Sequence, residues 1–301
     1  MTYAVIDLGG TSIKYSIMDE NGTMLHSGST PTPVQGSGET FSALRTIVQT
    51  YQTEYDIQGI ALSIPGAVDC KTGYVYFAGA VKDIEHHSVK EELSDLKLPI
   101  ELDNDANCAA AAEKWKGNAR GCQNFVCLTV GTGIGGGIFI NGEMVRGRNG
   151  LAGEFGLMTL QFDDQLHTVV DRYSFSNLAS ARSLTENFYD QTKQRVNGIE
   201  LFELAAQGDA DAQTAIESFY NALAVGAVNI IHALAPEKIL IGGGVSAQTS
   251  VIDEVVQRVR QIWPEAVQTT EIDRCFFENE AGKVGALCHY IKQQQTEDDQ
   301  D

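Results

Sequence analysis

Four of the five residues Asp103-Asn104-Asp105-Ala106-Asn107 are Asp or Asn, and an alanine-rich helical stretch begins there. One such residue is enough to cap a helix by accepting an orphan backbone N–H. The surplus offers chemistry: a carboxylate such as Asp105 can take a proton from an alcohol, and Asn104 can hold neighbouring hydroxyls. A second candidate is Asp7-Leu8-Gly9-Gly10-Thr11, with Lys14 close behind. Glycines let backbone N–H groups approach phosphate oxygens. Asp7 could steer Mg2+ through water, since that ion keeps much of its hydration shell. The bland alternative is a tight β-hairpin bearing a surface aspartate.

The segment Gly131-Thr132-Gly133-Ile134-Gly135-Gly136-Gly137 holds five glycines in seven residues. It imitates G-x-G-x-x-G, but that fingerprint must open a helix, and Ile138-Phe139-Ile140-Asn141-Gly142 reads as a strand into a hairpin. No Gly-Lys-Ser/Thr closes it as a Walker A loop. So many glycines are costly to order, which points to phosphate binding. Gly242-Gly243-Gly244-Val245-Ser246 follows a strand and precedes a helix, where it could cradle the nucleoside part of a nucleotide. A tight turn there would need one glycine. In Gly150-Leu151-Ala152-Gly153-Glu154-Phe155-Gly156, Glu154 is a carboxylate in a loop or part of a solvated turn.

The elements that must carry these groups alternate in type. Strands are expected at 3–8, 12–18, 23–29, 57–64, 99–102, 125–130, 137–140 and 238–241. Helices are expected at about 39–54, 88–95, 105–115, 174–190, 200–206, 210–234, 249–262 and 280–293. The polar tail Gln294–Asp301 reads as disordered. Strand, glycine turn, strand, Asn-Gly and strand occur twice, at Asp7–Leu25 and Thr129–Val145. Asn-Gly marks a hairpin because both residues tolerate positive φ. This weak duplication implies two similar α/β halves. The expected boundary lies at Gly117, giving a smaller lobe over 1–116 and a larger one over 117–301, with the last helix packing back on the first lobe.

The 301 residues carry a formal net charge of −19, which argues against nucleic acid as a partner. The opening Met1–Asp7 reads as a strand and not as a leader, and no run of 18 apolar residues suggests a membrane span. Six cysteines without a C-x-x-C pair read as reduced core thiols, so a cytoplasmic protein is expected.

Taken in order, Asp7–Thr11, Pro65-Gly66, Asp103–Asn107, Gly131–Gly137, Gly150–Gly156 and Gly242–Ser246 resemble the ROK family over nearly the whole chain. That resemblance implies an α/β, actin-like ATPase (ribonuclease H-like) fold, two lobes with a cleft between them, and ATP with Mg2+. It implies Asp105 as catalytic base and Asn104, Gly66 and Glu154 on the sugar. Asp7, Gly9, Gly10, Thr11 and Lys14, then Gly131, Thr132 and Gly133, match the phosphate loops. Gly243 and Gly244 match the nucleoside site. Family members are often dimers, so a homodimer is expected.

The departures sharpen the reading. Many ROK kinases carry a His where this chain has Leu157, then a cysteine-rich zinc loop; residues 160–178 hold no cysteine, so no zinc site is expected. The family's second sugar-binding Glu falls near Ser176, and Ala78-Gly79-Ala80-Val81 replaces a common Asn-x-x-Trp patch. Asn104–Cys108, Ala112-Glu113-Lys114-Trp115, Cys127–Gly137, Val145-Arg146-Gly147 and Ala152–Gly156 are similar to the zinc-less bacterial β-glucoside kinases, which phosphorylate the 6-hydroxyl of cellobiose and related sugars. A glucokinase, an N-acetylmannosamine kinase and a non-catalytic sugar sensor are the alternatives. A repressor of the family would need a helix-turn-helix ahead of Tyr3 and a basic surface. An actin- or chaperone-like ATPase would turn over ATP without sugar.

Overall fold

Tyr3-Ala4-Val5-Ile6 places apolar side chains on both faces of one extended run, which suits a strand covered on both sides. In the computed structural model all four are buried, at the centre of a five-stranded sheet. Residues 1–248 and 250–298 are described, without the side chains of Ser246, Ala247 and 296–298. Thr249, expected in a helix, and Asp299, Gln300 and Asp301 of the expected tail lie outside the described residues.

The chain divides into two compact units. The first comprises Met1–Gly117, Met144–Ala152 and the chain from Asn279 onward. It opens with β1 (Thr2–Leu8), β2 (Ser12–Asp19), β3 (Met24–Pro31), α1 (Thr40–Gln52) and β4 (Ile57–Ile64). The hairpin β5 (Ala67–Asp69) and β6 (Tyr74–Phe77), α2 (Val89–Glu92), β7 (Ile100–Asn104) and α3 (Asp105–Lys116) follow. The sheet order is β3-β2-β1-β4-β7. β1 runs antiparallel to β2 and parallel to β4, and β4 parallel to β7.

The second unit comprises Asn118–Glu143 and Gly153–Glu278. Its strands are β8 (Phe125–Val130), β9 (Ile134–Ile140), β11 (Lys238–Gly242) and β12 (Glu271–Arg274), with β10 (Glu143–Val145) starting at its residue Glu143. Their order, β10-β9-β8-β11-β12, repeats that of the first sheet position by position. The duplication sensed in the two Asn-Gly hairpins is thus a duplication of sheets. Asn141 and Gly142 both take positive φ, whereas only Gly22 does so in the first hairpin.

The helices of this unit are α4 (Val169–Tyr173), α5 (Phe175–Ala179), α6 (Ala181–Thr192), α7 (Gly198–Ala206), α8 (Ala210–Leu234), α9 (Ser250–Ile262) and α10 (Ala266–Thr269). α8 is long and apolar enough to cross a membrane, but most of it is buried, and α5, α6, α7 and α9 pack on it. Its apolar side chains are therefore core.

Three expectations need correction. The helix expected over 174–190 is broken at Ser180, whose hydroxyl accepts the Ser183 N–H at 3.0 Å and starts α6 afresh. The glycine turn over 131–137 is shorter, because Gly135, Gly136 and Gly137 belong to β9 opposite Thr129, Leu128 and Cys127. The tail from Gln294 is not irregular: the last helix, α11 (Ala281–Asp298), continues through it to Asp298.

α11 packs on α3 and on β1, β4 and β7 within the first unit. The approach is close: a Cβ on Gly285 would lie 1.6 Å from the Cys108 carbonyl oxygen, and one on Gly59 would lie 2.1 Å from the Tyr290 hydroxyl. Gly285→Ala therefore drives a methyl into backbone. Overpacking of about 3 kcal/mol should outweigh the gain of about 1 kcal/mol in helix propensity. The expected outcome is a melting temperature several degrees lower by calorimetry; an unchanged Tm would show that α11 is not clamped there.

Candidate active site

β7 passes into α3 with no intervening loop, at the carboxyl end of a parallel strand, where open α/β sheets bind ligands. Asn104 is the N-cap, its Oδ1 accepting the N–H groups of Ala106 at 2.9 Å and Asn107 at 3.1 Å. Its Nδ2 donates to the Gly66 carbonyl at 2.9 Å. Gly66 has φ +88°, and a Cβ there would lie 1.8 Å from the Phe77 carbonyl oxygen, so only glycine fits. Asp105 follows as an exposed residue whose Oδ1 accepts the Ala106 N–H at 2.8 Å.

Asp103, just before the cap, is buried. Its Oδ1 accepts from the Asn104 N–H at 2.8 Å and from Asn107 Nδ2 at 3.0 Å. Its Oδ2 accepts from Arg146 Nη2 at 2.6 Å and Nε at 3.1 Å. Burial works against this carboxylate, but the charge of Arg146 and the hydrogen bonds from Arg146 and Asn107 hold it below the usual range. His289 lies beside them, Nδ1 3.3 Å from Arg146 Nη2, and burial pushes it down to about 4. Burial and the Asp103 charge push the Cys70 thiol up to about 12. Ligand atoms of Cys70, Asp103 and His289 lie within 4.8 Å of one another, a spacing a metal could use. The guanidinium of Arg146 already stands against Asp103 as the cation.

Asp7 lies inside β1 opposite Lys14, and is partly buried instead of a surface residue. Its Oδ1 accepts from Ser63 Oγ at 2.6 Å. Burial raises its pKa, opposed by the Ser63 hydrogen bond and the charges of Lys14 and Lys283. One carboxylate with a hydroxyl partner suits a Mg2+ that is held through water and phosphate oxygens without an all-protein cage. The Gly9 N–H bonds to the Ser12 carbonyl at 3.1 Å and closes the turn, with Gly10 and Thr11 exposed beyond it. Burial, and then the charges of Asp103, Asp7 and Asp105, raise the Cys108 thiol. All three carboxylates therefore lie near enough to the first turns of α3 for their charge to be felt at Cys108.

In the second unit, the Gly131 N–H bonds to the Gly133 carbonyl at 2.9 Å, and Thr132 stands exposed between them. A Cβ on Gly131 would meet nothing within 4 Å, and one on Gly133 would meet only Ser176 Oγ at 3.5 Å. Gly243 differs: φ is +86° and a Cβ would lie 2.4 Å from the Val130 carbonyl oxygen, whereas Gly244 is open. Gly153 (φ +93°) is pressed on Gly136, with a Cβ 2.3 Å from its carbonyl oxygen. Glu154 is next, partly buried, its carboxyl raised by that burial, with no hydrogen-bond or ion-pair partner among the described residues. Ser176 Oγ accepts the Ile134 N–H at 2.9 Å, tying α5 to β9, while Leu157 is exposed.

Thus Asp7, Gly9, Gly10, Thr11, Lys14, Gly66, Asn104 and Asp105 belong to the first unit, and Gly131, Thr132, Gly133, Glu154, Gly243 and Gly244 to the second. The motifs alone did not reveal Ser63, the ion pair of Asp103 with Arg146, or His289. His289 sits among polar residues of a terminal helix, and nothing in that local sequence shows that it is buried.

The depressed His289 pKa has a consequence for stability. The unfolded chain binds this proton near 6.5 and the folded chain near 4. Stability is therefore complete above about pH 6.5 and drains as pH falls toward 4. His289→Gln removes the linkage, so the wild-type Tm should fall more than the variant's between about pH 7 and pH 4.5. Parallel Tm–pH curves for the two proteins would contradict a neutral buried imidazole.

A sequence model described as the ROK family matches residues 3–293. The β-glucoside kinase of Listeria monocytogenes is 33% identical over 299 residues, covering 98% of this chain and 99% of that protein. The solved structure of a ROK family protein from Streptococcus pneumoniae in complex with sucrose superposes with TM-score 0.86 at 32% identity, over 98% of this chain and 100% of the other. A ROK family glucokinase from Streptomyces griseus, solved with glucose and AMPPNP, gives TM-score 0.83 at 27% identity, over 98% and 100%. With that match along its length, and with the actin-like ATPase fold of these structures, the chain belongs to the ROK family.

Proposed function

We propose that this ROK-family sugar kinase transfers the γ-phosphoryl group of ATP to the 6-hydroxyl of a β-glucoside such as cellobiose, with Asp105 taking the hydroxyl proton. The observation that carries the reading is a division of labour at the head of α3. Asn104 meets the capping need and Asp103 is consumed by Arg146, yet a third polar residue, Asp105, remains exposed at the first helical position. Its Oδ1 also accepts the Ala106 N–H, but an exposed carboxylate at that position suits general base catalysis.

The sugar is held by the Gly66 backbone, by Asn104 and by Glu154. A half-buried carboxylate without a protein partner is costly unless a ligand donates to it, and a sugar hydroxyl does so. The phosphates are met by N–H groups of Gly9, Gly10 and Thr11 and of Gly131, Thr132 and Gly133, with Lys14 adding charge. Gly131 and Gly244 support this, since neither turn requires a glycine there for its own packing. Gly243 and Gly244 take the nucleoside. Mg2+, steered by Asp7 through water, offsets charge on the phosphates when bound. The choice of a β-glucoside rests on Leu157 and Ser176, which remove two polar contacts to the ring, and on β-glucoside kinases being relatives of this chain.

Asp105→Ala should lower kcat by about 10²–10⁴-fold while the KM for ATP stays put; a folded variant with near-normal turnover would remove Asp105 from its role. In a coupled ADP-release assay, kcat/KM for cellobiose should exceed that for glucose. The reverse order would assign the chain to the glucokinases, and ATP turnover independent of any sugar would make it a different kind of ATPase.

A further inference from the structure

We propose that Arg146 is a positioning residue for phosphoryl transfer: its two-donor grip on Asp103 fixes the head of α3 and, through it, the Asp105 carboxylate. The inference rests on the reading of Asp105 as the base. Asp103 touches the cap through both carboxylate oxygens. Oδ1 holds the N–H of the N-cap residue Asn104 and the side chain of Asn107 in the first turn. Oδ2 is held by Arg146 from the opposite side. With both oxygens engaged the carboxylate cannot rotate, so the backbone of Asn104 is fixed where the strand becomes the helix. Asp105 is the next residue.

Arg146 is itself anchored. Its carbonyl accepts the Ala152 N–H at 3.0 Å, which closes the segment it rides on. Gly150 of that segment, at φ +72°, lies against β5, where a Cβ would come within 2.5 Å of the Val68 carbonyl oxygen. His289 of α11 is neutral and sits against the guanidinium. The β7–α3 junction, the segment 144–152 and α11 thus meet at one ion pair, which bears directly on the cap of α3. A buried ion pair is weak evidence for stability, because an apolar replacement is often as stable. Here the charges hold a geometry. The outer side of the guanidinium opens on a cavity of about 640 Å³ that Lys71, Tyr76, Lys90 and Asn149 also line. Direct contact with substrate is therefore the competing role.

The experiment is steady-state kinetics on Arg146→Gln, Arg146→Lys and the double variant Arg146→Gln/Asp103→Asn, with circular dichroism and Tm on each. Misplacement of a catalytic group by about 1 Å costs about 100-fold in rate. Arg146→Gln should therefore lower kcat about 100-fold, well below its Tm, with both KM values within about twofold. Arg146→Lys, which keeps the charge but not the two-donor geometry, should fall between. In the double variant an amide pair replaces the ion pair, and kcat should recover about tenfold over the single variant. Should Arg146→Gln fail to fold, the Lys and double variants carry the same comparison.

A folded Arg146→Gln with wild-type kcat overturns the proposal. So does a rise in sugar KM with kcat unchanged, which would make Arg146 a substrate contact, and so does a double variant no faster than the single. Asp105→Asn is run alongside. If it is active, the base assignment itself fails; if it is inactive while Arg146→Gln is silent, only the positioning role is lost.

Discussion

A helix that starts at the last residue of a parallel strand has no loop to satisfy its first N–H groups, and the structure around β7 and α3 follows from that constraint. Asn104 closes two of those groups and spends its amide on Gly66, so the same residue sets both the helix start and the turn after β4. Asp103 completes the junction from inside the sheet, and a charge placed there needs Arg146. The alanines behind it have a matching cause. Ala106–Ala112 are buried because α11 lies so close that Gly285 touches the backbone of Cys108. Small side chains on α3 and glycine on α11 are two sides of one contact, which roots the exposed Asp105 in the most tightly packed part of its unit.

The glycines divide by the same physical test. Gly66, Gly153 and Gly243 combine positive φ with a neighbour that a Cβ would strike, so the fold demands them. Gly136 and Gly156 have ordinary φ but lie under Phe155 and on the Ile134 carbonyl. Gly131 and Gly244 meet neither condition. Packing among the described residues does not require a glycine at either place, which is what supports the proposed phosphate and nucleoside roles. A count of glycines in sequence mixes these classes, and the expectation of a long glycine turn over 131–137 erred for that reason. Three of its five glycines are strand residues, and at Gly136 close packing leaves no room for a Cβ.

Much of the architecture was legible because its signals are local. Alternating apolar runs and Asn-Gly turns gave the strands of both sheets except β12, and the Asp-Asn cluster marked the start of α3 to the residue. What was hidden depends on distant partners. β5, β6 and β12 are three or four residues long and carry no periodicity to read. Ser180 looks like any helical serine until its capping of α6 is seen. Arg146 and His289 belong to segments far from Asp103 in the chain, and only the fold unites them. The motifs thus named the groups presented for chemistry and even included Arg146, but they could not say that Arg146 pairs with Asp103 or that His289 is buried beside it.

Selectivity for a sugar follows from how few polar groups remain to recognise one. Glu154 is partly stripped of water without a protein donor in exchange, so a ligand that supplies a hydroxyl regains what burial removed. A ligand lacking that hydroxyl leaves the carboxylate unsatisfied, and sites built this way reject such analogues far more sharply than apolar pockets reject an extra methylene. Ser176 Oγ already accepts the Ile134 N–H, and Leu157 is an exposed apolar side chain. On the proposed reading, Leu157 and Ser176 stand where two polar ring contacts are lost, so a group attached to the ring meets less that would exclude it, and a glycoside is favoured over the free sugar.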